Sequence, residues 1–212
     1  MKYPKIFHLP YSQSVSDDDR IIDEDVLDNM LSQELIITEK LDGGNTCYHA
    51  GKIYARSHAV PTTHESFNWL KNFCAGKSIP DHLMLYGENV FAIHSIEYEG
   101  LSSYFYLFDI FDQQKECWLS WSKIIDLAGQ LGFDMVPIIY KGELSFEDLK
   151  SFIMNKIQAP SCFGGPVEGF VVRTASEIPV YEFNLNRVKF VRANHVQSDE
   201  HWTRTWKRQK LF

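Results

Sequence analysis

Leu35-Ile36-Ile37-Thr38-Glu39-Lys40-Leu41-Asp42-Gly43-Gly44-Asn45 is the stretch on which the reading of this chain turns. An apolar, partly β-branched run ends in a lysine that has acids on both sides and is followed three residues later by a pair of glycines. The run reads as a strand and the glycines as a turn, so Lys40 stands at a strand end. A solvated surface charge needs no such setting. A lysine amine is inert while protonated and becomes a nucleophile when desolvation or nearby positive charge lowers its pKa from about 10.4. Lys40 is accordingly read as a nucleophile.

Outward from that stretch, strand-like runs at 34–40, 46–50 and 52–57, broken by the glycine pair and Gly51, form a meander. The strongest further strand candidates are 83–96 and 104–111, rich in β-branched and aromatic residues, with 135–140, 167–174, 180–183 and 187–192 completing the set. Helical spacing predicts amphipathic segments at 66–77, 121–131 and 145–157, the last opened by Ser145 with Asp148 three residues on. Near the start, Ser16 is expected to cap an acidic helix that turns Ile21, Ile22, Val26, Leu27 and Met30 inward. The tail places Trp202 and Trp206 one helical turn apart among bases, as in a docking helix.

The chain has 212 residues, 44% of them hydrophobic and 14% aromatic, enough for one core and a small appendage. A net charge of −7 excludes a uniformly basic nucleic-acid sleeve. The charge is uneven: seven acids between Asp17 and Asp28 face only Arg20, whereas bases outnumber acids after Arg187. Cys47, Cys74, Cys117 and Cys162 are isolated, without zinc spacing, and are read as reduced and structural. The absence of a signal-like start and of a long apolar run predicts a cytoplasmic protein that does not enter the membrane. His58, His64 and His94 lack metal-site spacing, and Gly164-Gly165 lacks the lysine of a phosphate loop, so neither is given a role.

Phosphoryl or nucleotidyl transfer needs oxygen ligands for a hard metal, and acids at strand ends are the expected source. Glu88 in Tyr86-Gly87-Glu88 and Glu168 in Val167-Glu168-Gly169-Phe170 each stand beside glycine on otherwise apolar runs. At this point an ordered series resembles a known family, the covalent nucleotidyltransferases, and among them the ATP-dependent RNA ligases of the RNA ligase 2-like branch. Lys40-Leu41-Asp42-Gly43 resembles the family's KxDG element, and Asn45 favours the RNA-joining branch. Arg56-Ser57, Leu85-Tyr86-Gly87-Glu88, Tyr106-Leu107-Phe108-Asp109-Ile110, Val167-Glu168-Gly169-Phe170-Val171-Val172-Arg173 and Val188-Lys189-Phe190-Val191-Arg192 resemble the elements that follow it in order.

The resemblance implies an α+β nucleotidyltransferase domain, ATP-grasp-like, with antiparallel sheets enclosing an ATP cleft and flanking helices, over residues 1–195. It implies ATP and Mg2+ or Mn2+ as cofactors. Lys40 would become lysyl-AMP, pass AMP to an RNA 5′-phosphate, and the strand would be sealed by a 3′-hydroxyl, in a role such as RNA repair. Phe108 would stack on adenine, Glu88 and Arg56 would contact the ribose, and Glu39 would back the adenine pocket. Glu168 would help bind the metal. Lys189 would touch the α-phosphate and help keep the Lys40 amine unprotonated, with Asn45 close to the same phosphate. Arg187 stands where the family often has a second lysine; Arg187 and Arg192 are secondary phosphate contacts. Residues 196–212 form a short basic tail, too short for an OB-fold, so either a protein partner replaces that domain or the catalytic domain holds its substrate alone. The alternatives are a DNA ligase or mRNA-capping-type fragment and a non-catalytic nucleotide- or RNA-binding module.

Overall fold

A computed structural model describes residues 1–193 and 206–212. The strands are β1 (Phe7–His8), β2 (Leu35–Lys40), β3 (Gly44–His49), β4 (Lys52–Ala55), β5 (Leu83–Asn89), β6 (Phe105–Asp112), β7 (Cys117–Trp118), β8 (Ile138–Gly142), β9 (Gly169–Thr174), β10 (Ile178–Pro179) and β11 (Arg187–Val191). The helices are α1 (Glu24–Leu31), α2 (Asn68–Cys74), α3 (Trp121–Leu131) and α4 (Phe146–Lys156). The strands make two sheets, one ordered β1-β11-β9-β2-β8 and the other β10-β7-β6-β5-β3-β4. All named pairs are antiparallel except β1 with β11. The α+β class with antiparallel sheets agrees with the expectation.

Alternation along the strands decides which side chains meet. On β2, Leu35 and Ile37 turn toward a core with Leu27 and Met30 of α1 and Leu149 and Ile153 of α4. Ile36, Thr38 and Lys40 therefore face the other way, as do Arg187 and Lys189 on β11 and Arg173 on β9, by register. The second sheet packs Leu85, Leu107 and Ile110 with Leu70 of α2 and Ile124 of α3. Asp109 of β6 joins the two sheets: buried, it accepts hydrogen bonds from Arg173 at 3.0 Å and Arg187 at 2.6 Å.

Local signals explain the helix ends. Ser145 accepts the N–H of Asp148 at 3.2 Å and caps α4, as expected. Gly132 terminates α3 in the left-handed region at φ 70°. Elsewhere the structure corrects the reading. Ser16 caps no helix; its hydroxyl donates to Asp18 and Asp19 at 2.9 and 2.7 Å, and α1 begins only after Asp23. Residues 83–96 are not one strand: after Asn89 the chain turns, with the N–H of Phe91 on the Asn89 side-chain oxygen at 3.2 Å. Val180–Leu185 is a 3-10 helix, entered through Pro179, which has no N–H to continue a ladder. The tail is not helical over 206–212, which run extended with isolated bridges to Ala92 and Leu101; Trp202 lies outside the described residues. Cys47, Cys74 and Cys117 are buried thiols and Cys162 is an exposed one.

Candidate active site

Lys40 ends β2 because Asp42 takes the chain into a fixed turn. One oxygen of the Asp42 carboxylate accepts the Ser95 N–H at 2.7 Å, the Ser95 hydroxyl at 2.8 Å and the Ile96 N–H at 2.7 Å. The Asp42 N–H donates to the Tyr98 hydroxyl at 2.7 Å. Gly43 follows because nothing larger fits: a Cβ there would stand 2.6 Å from the Asn89 carbonyl oxygen. Sequence reasoning singled out the motif but not this role for its aspartate, whose partners come from a loop over fifty positions away.

The Lys40 amine meets the opposite flank of its own sheet. Gly169 pairs with Lys40 on one side and Val191 on the other, and its missing Cβ would fall 2.0 Å from the Phe190 carbonyl oxygen. Glu168, one residue earlier and buried, accepts a hydrogen bond from Lys40 Nζ. Lys189 faces the same side two strands across, since Lys189 pairs with Val171 and Val171 with Thr38. From the second sheet come Glu88 on β5 and Asn45 on β3, which are directly paired. Thus Lys40, Glu168 and Lys189 of one sheet face Glu88 and Asn45 of the other.

The electrostatics follow from this crowding. Burial pushes the Glu88 carboxyl up to about 8, with Lys40 opposing and Glu168 and Asp42 adding to the rise. Burial alone would lower the Lys40 amine, but Glu168, Glu88 and Asp42 outweigh it and the net direction is up. In the ligand-free chain this direction runs against the expectation that Lys189 helps keep Lys40 unprotonated. Lys189 is itself lowered, chiefly by burial, with Asp19 opposing and the cations Lys40 and Arg56 adding. Its Nζ lies 3.2 Å from Asp19, which also stands 3.2 Å from His8 Nε2. Nothing in the local pattern of Asp19 marks it as the partner of a lysine 170 positions away.

The other predicted residues divide. Phe108 is half-buried, with the Tyr3 ring edge-on at a centroid distance of 5.1 Å. Arg56 is exposed just after β4, near enough to bias Glu88 and Lys189. Glu39 turns away: its carboxylate accepts from the Ser161 hydroxyl and, at 3.0 Å, the Cys162 N–H, so only its main chain is left to back a pocket. Arg187 is not a phosphate contact here. It is 1% exposed, bound to Asp109, with its guanidinium 4.3 Å over the Phe183 ring and 5.2 Å over Trp118. His94, given no role, lies where Asp42 and Lys40 both act on it, and burial lowers its pKa.

Among the described residues no group of three or more His, Cys, Asp or Glu stands together as a metal cage. The donor set still suits a hard divalent ion, because Mg2+ and Mn2+ are commonly held by one or two carboxylates together with substrate phosphates. Glu168 is such a carboxylate. None of the helices formed by the described residues is long and apolar enough to cross a membrane.

The RNA ligase family model matches residues 33–191. No curated protein sequence gives a significant match. Among solved structures, the fold is similar to a Naegleria gruberi RNA ligase with PPi, at TM-score 0.59 and 20% identity, covering 89% of this chain and 61% of that one. A mutant of that ligase with ATP and Mn matches at TM-score 0.56 and 20% identity, over 91% of this chain and 60% of that one. A protein assigned as an ATP-dependent DNA ligase from Aquifex aeolicus matches at 0.54 and 18%, over 90% and 49%. The chain thus spans about half to three-fifths of the length of these structures, and at such identities the likeness concerns the fold.

Proposed function

The chain belongs to the RNA ligase family, and from that premise we propose that it is an ATP-dependent RNA ligase whose Lys40 carries AMP. The observation that carries the reading is the convergence on one amine of Glu168 from its own sheet and Glu88 from the other. A binding module has no need of a lysine held in this way.

In the proposed first step the Lys40 Nζ lone pair forms a bond to the α-phosphorus of ATP while the bond to the pyrophosphate oxygen breaks. The ammonium must first lose a proton and part from Glu168, its hydrogen-bond acceptor. Lys189, partly desolvated and on the same face, is placed to offset charge on the α-phosphate, with Asn45 beside it. Asp19 would then give up Lys189 to the phosphate. Phe108 offers a ring face to adenine, and Arg56 and Glu88 polar groups to the ribose. A divalent metal held with the help of Glu168, Mg2+ or Mn2+, would supply further charge neutralisation at the phosphate oxygens. AMP would then pass to an RNA 5′-phosphate and be displaced by a 3′-hydroxyl. Action in the cytoplasm, in RNA repair and with a protein partner completes the proposal.

Incubation with ATP labelled at the α-phosphate and Mg2+ or Mn2+ is expected to label the wild-type chain and leave Lys40→Ala unlabelled. Label on Lys40→Ala, or none on wild type, overturns the assignment. Preferential labelling by GTP or NAD+ would move the chain to a capping-type or DNA-joining reaction.

A further inference from the structure

We propose that residues 206–212 are a strap that positions the nucleophile, with Gln209 as the positioning residue; the inference rests on reading Lys40 as the AMP acceptor. Gln209 is 1% exposed between the exposed Arg208 and Lys210. A buried primary amide is costly unless both of its ends are bonded. Here Nε2 donates to the Ile96 carbonyl at 2.7 Å and Oε1 accepts the Tyr98 N–H at 3.0 Å. Its main chain is fixed as well, with the N–H on the Phe91 carbonyl at 2.9 Å and the carbonyl accepting the Tyr104 hydroxyl at 3.1 Å. On either side, the Lys207 carbonyl accepts the Ile93 N–H at 2.8 Å, and the Phe212 N–H donates to Leu101 at 3.0 Å. Trp206 packs its ring 5.5 Å from that of Phe91.

The two residues that the Gln209 amide brackets are two of the three that hold Asp42, the third being Ser95. Ile96 gives its carbonyl to Gln209 and its N–H to the Asp42 carboxylate. Tyr98 gives its N–H to Gln209 and accepts the Asp42 N–H on its hydroxyl. Asp42 lies two residues beyond Lys40. A chain of hydrogen bonds therefore runs from the tail through residues 96 and 98 to the turn that aims the amine. In-line attack at phosphorus depends on such aim, and misplacement by about 1 Å costs on the order of 100-fold in rate. Apart from the Glu39 main chain, the groups proposed to hold adenine and ribose lie outside β2, so loosening this bracket should slow attack without releasing the nucleotide.

The test compares the full-length Gln209→Leu chain with wild type and with Ile153→Ala, a change in the core under α4 that lowers stability away from the bracket. Single-turnover labelling of Lys40 at saturating ATP is read below the melting temperature of all three, alongside ATP affinity. Gln209→Leu is expected to label about 10- to 100-fold more slowly, with the ATP Kd within about threefold of wild type. Amide exchange at Asp42, Ser95 and Ile96 in the ligand-free chain should quicken in this variant and not in Ile153→Ala. Equal labelling of wild type and Gln209→Leu, or an equal slowing by Ile153→Ala, would overturn the positioning role alone. An unlabelled wild type would overturn the Lys40 reading and the strap's role with it.

Discussion

Replacing Asp109 by asparagine removes one charge and almost no volume from the junction between the sheets. Asp109 is 1% exposed and holds Arg173 at 3.0 Å, Arg187 at 2.6 Å and the Tyr3 hydroxyl at 3.0 Å. With the carboxylate gone, two guanidinium groups face one another from paired positions on β9 and β11. They are walled in by the Trp118, Trp121 and Phe183 rings. Arg173 already shows the strain of that environment: burial draws its pKa down to about 10 even with Asp109 opposing. Breaking a buried ion pair by removing one partner costs about 3–5 kcal/mol. At ~2–4 °C per kcal/mol for a chain of this size, Tm should fall by roughly 6–20 °C. Thermal unfolding followed by near-ultraviolet circular dichroism at low and high salt measures it, and the drop should persist at high salt because buried charges are little screened. Asp109→Leu combined with Arg173→Met and Arg187→Met should recover most of the loss. A drop for Asp109→Asn below about 3 °C, in the range of an exposed pair, would refute the account.

Three further outcomes follow from the site. Glu88 titrates near 8 in the folded chain against an ordinary 4.5, so ionising it costs stability as pH rises through that interval. Glu88→Gln should therefore gain Tm over wild type progressively across it, and a gap independent of pH would show that burial is not the cause. Burial works to raise the Asp19 carboxyl, but Ser16 and Lys189 hold it well below its ordinary 3.8. Its stabilisation is then full at neutral pH and lost in strong acid. Asp19→Asn should cost about 1–3 kcal/mol by urea titration at pH 7, less as pH falls below about 3.8; an unchanged midpoint refutes the Lys189 contact. Gly43→Ala pushes a methyl against the Asn89 carbonyl, and overpacking of this kind costs about 1–3 kcal/mol. Lys40 labelling should fall with it, and normal labelling would mean that the turn yields.

Residues whose position follows from their own strand were legible in the sequence. Lys40 at the end of a β-branched run, Glu88 and Glu168 beside close-approach glycines, and α4 with its Ser145 cap needed only local pattern. What was missed depends on pairs made across the fold. Arg187 carries the same charge and alternation as Lys189, and only the presence of Asp109 and two rings opposite makes one structural and leaves the other facing Lys40. Asp19 and Gln209 sit in segments without periodicity, and their partners lie 170 and 111–113 positions away. The charges nearest Lys40 were hidden for a related reason, since sequence displays its cations and acids without saying which come nearest.

Lys40 and Glu168 are 128 positions apart, and β9, which follows Glu168, is among the last of the described strands to be made. A nascent chain that has left the ribosome only through α4 carries the nucleophile and the whole β3–β5 hairpin system, but neither Glu168 nor Lys189. Its lysine is an ordinary side chain at the edge of an incomplete sheet. On the proposed reading, AMP capture would wait until β9 pairs with β2 and β11 with β9, so self-adenylylation of a newly made molecule would report that this sheet has assembled.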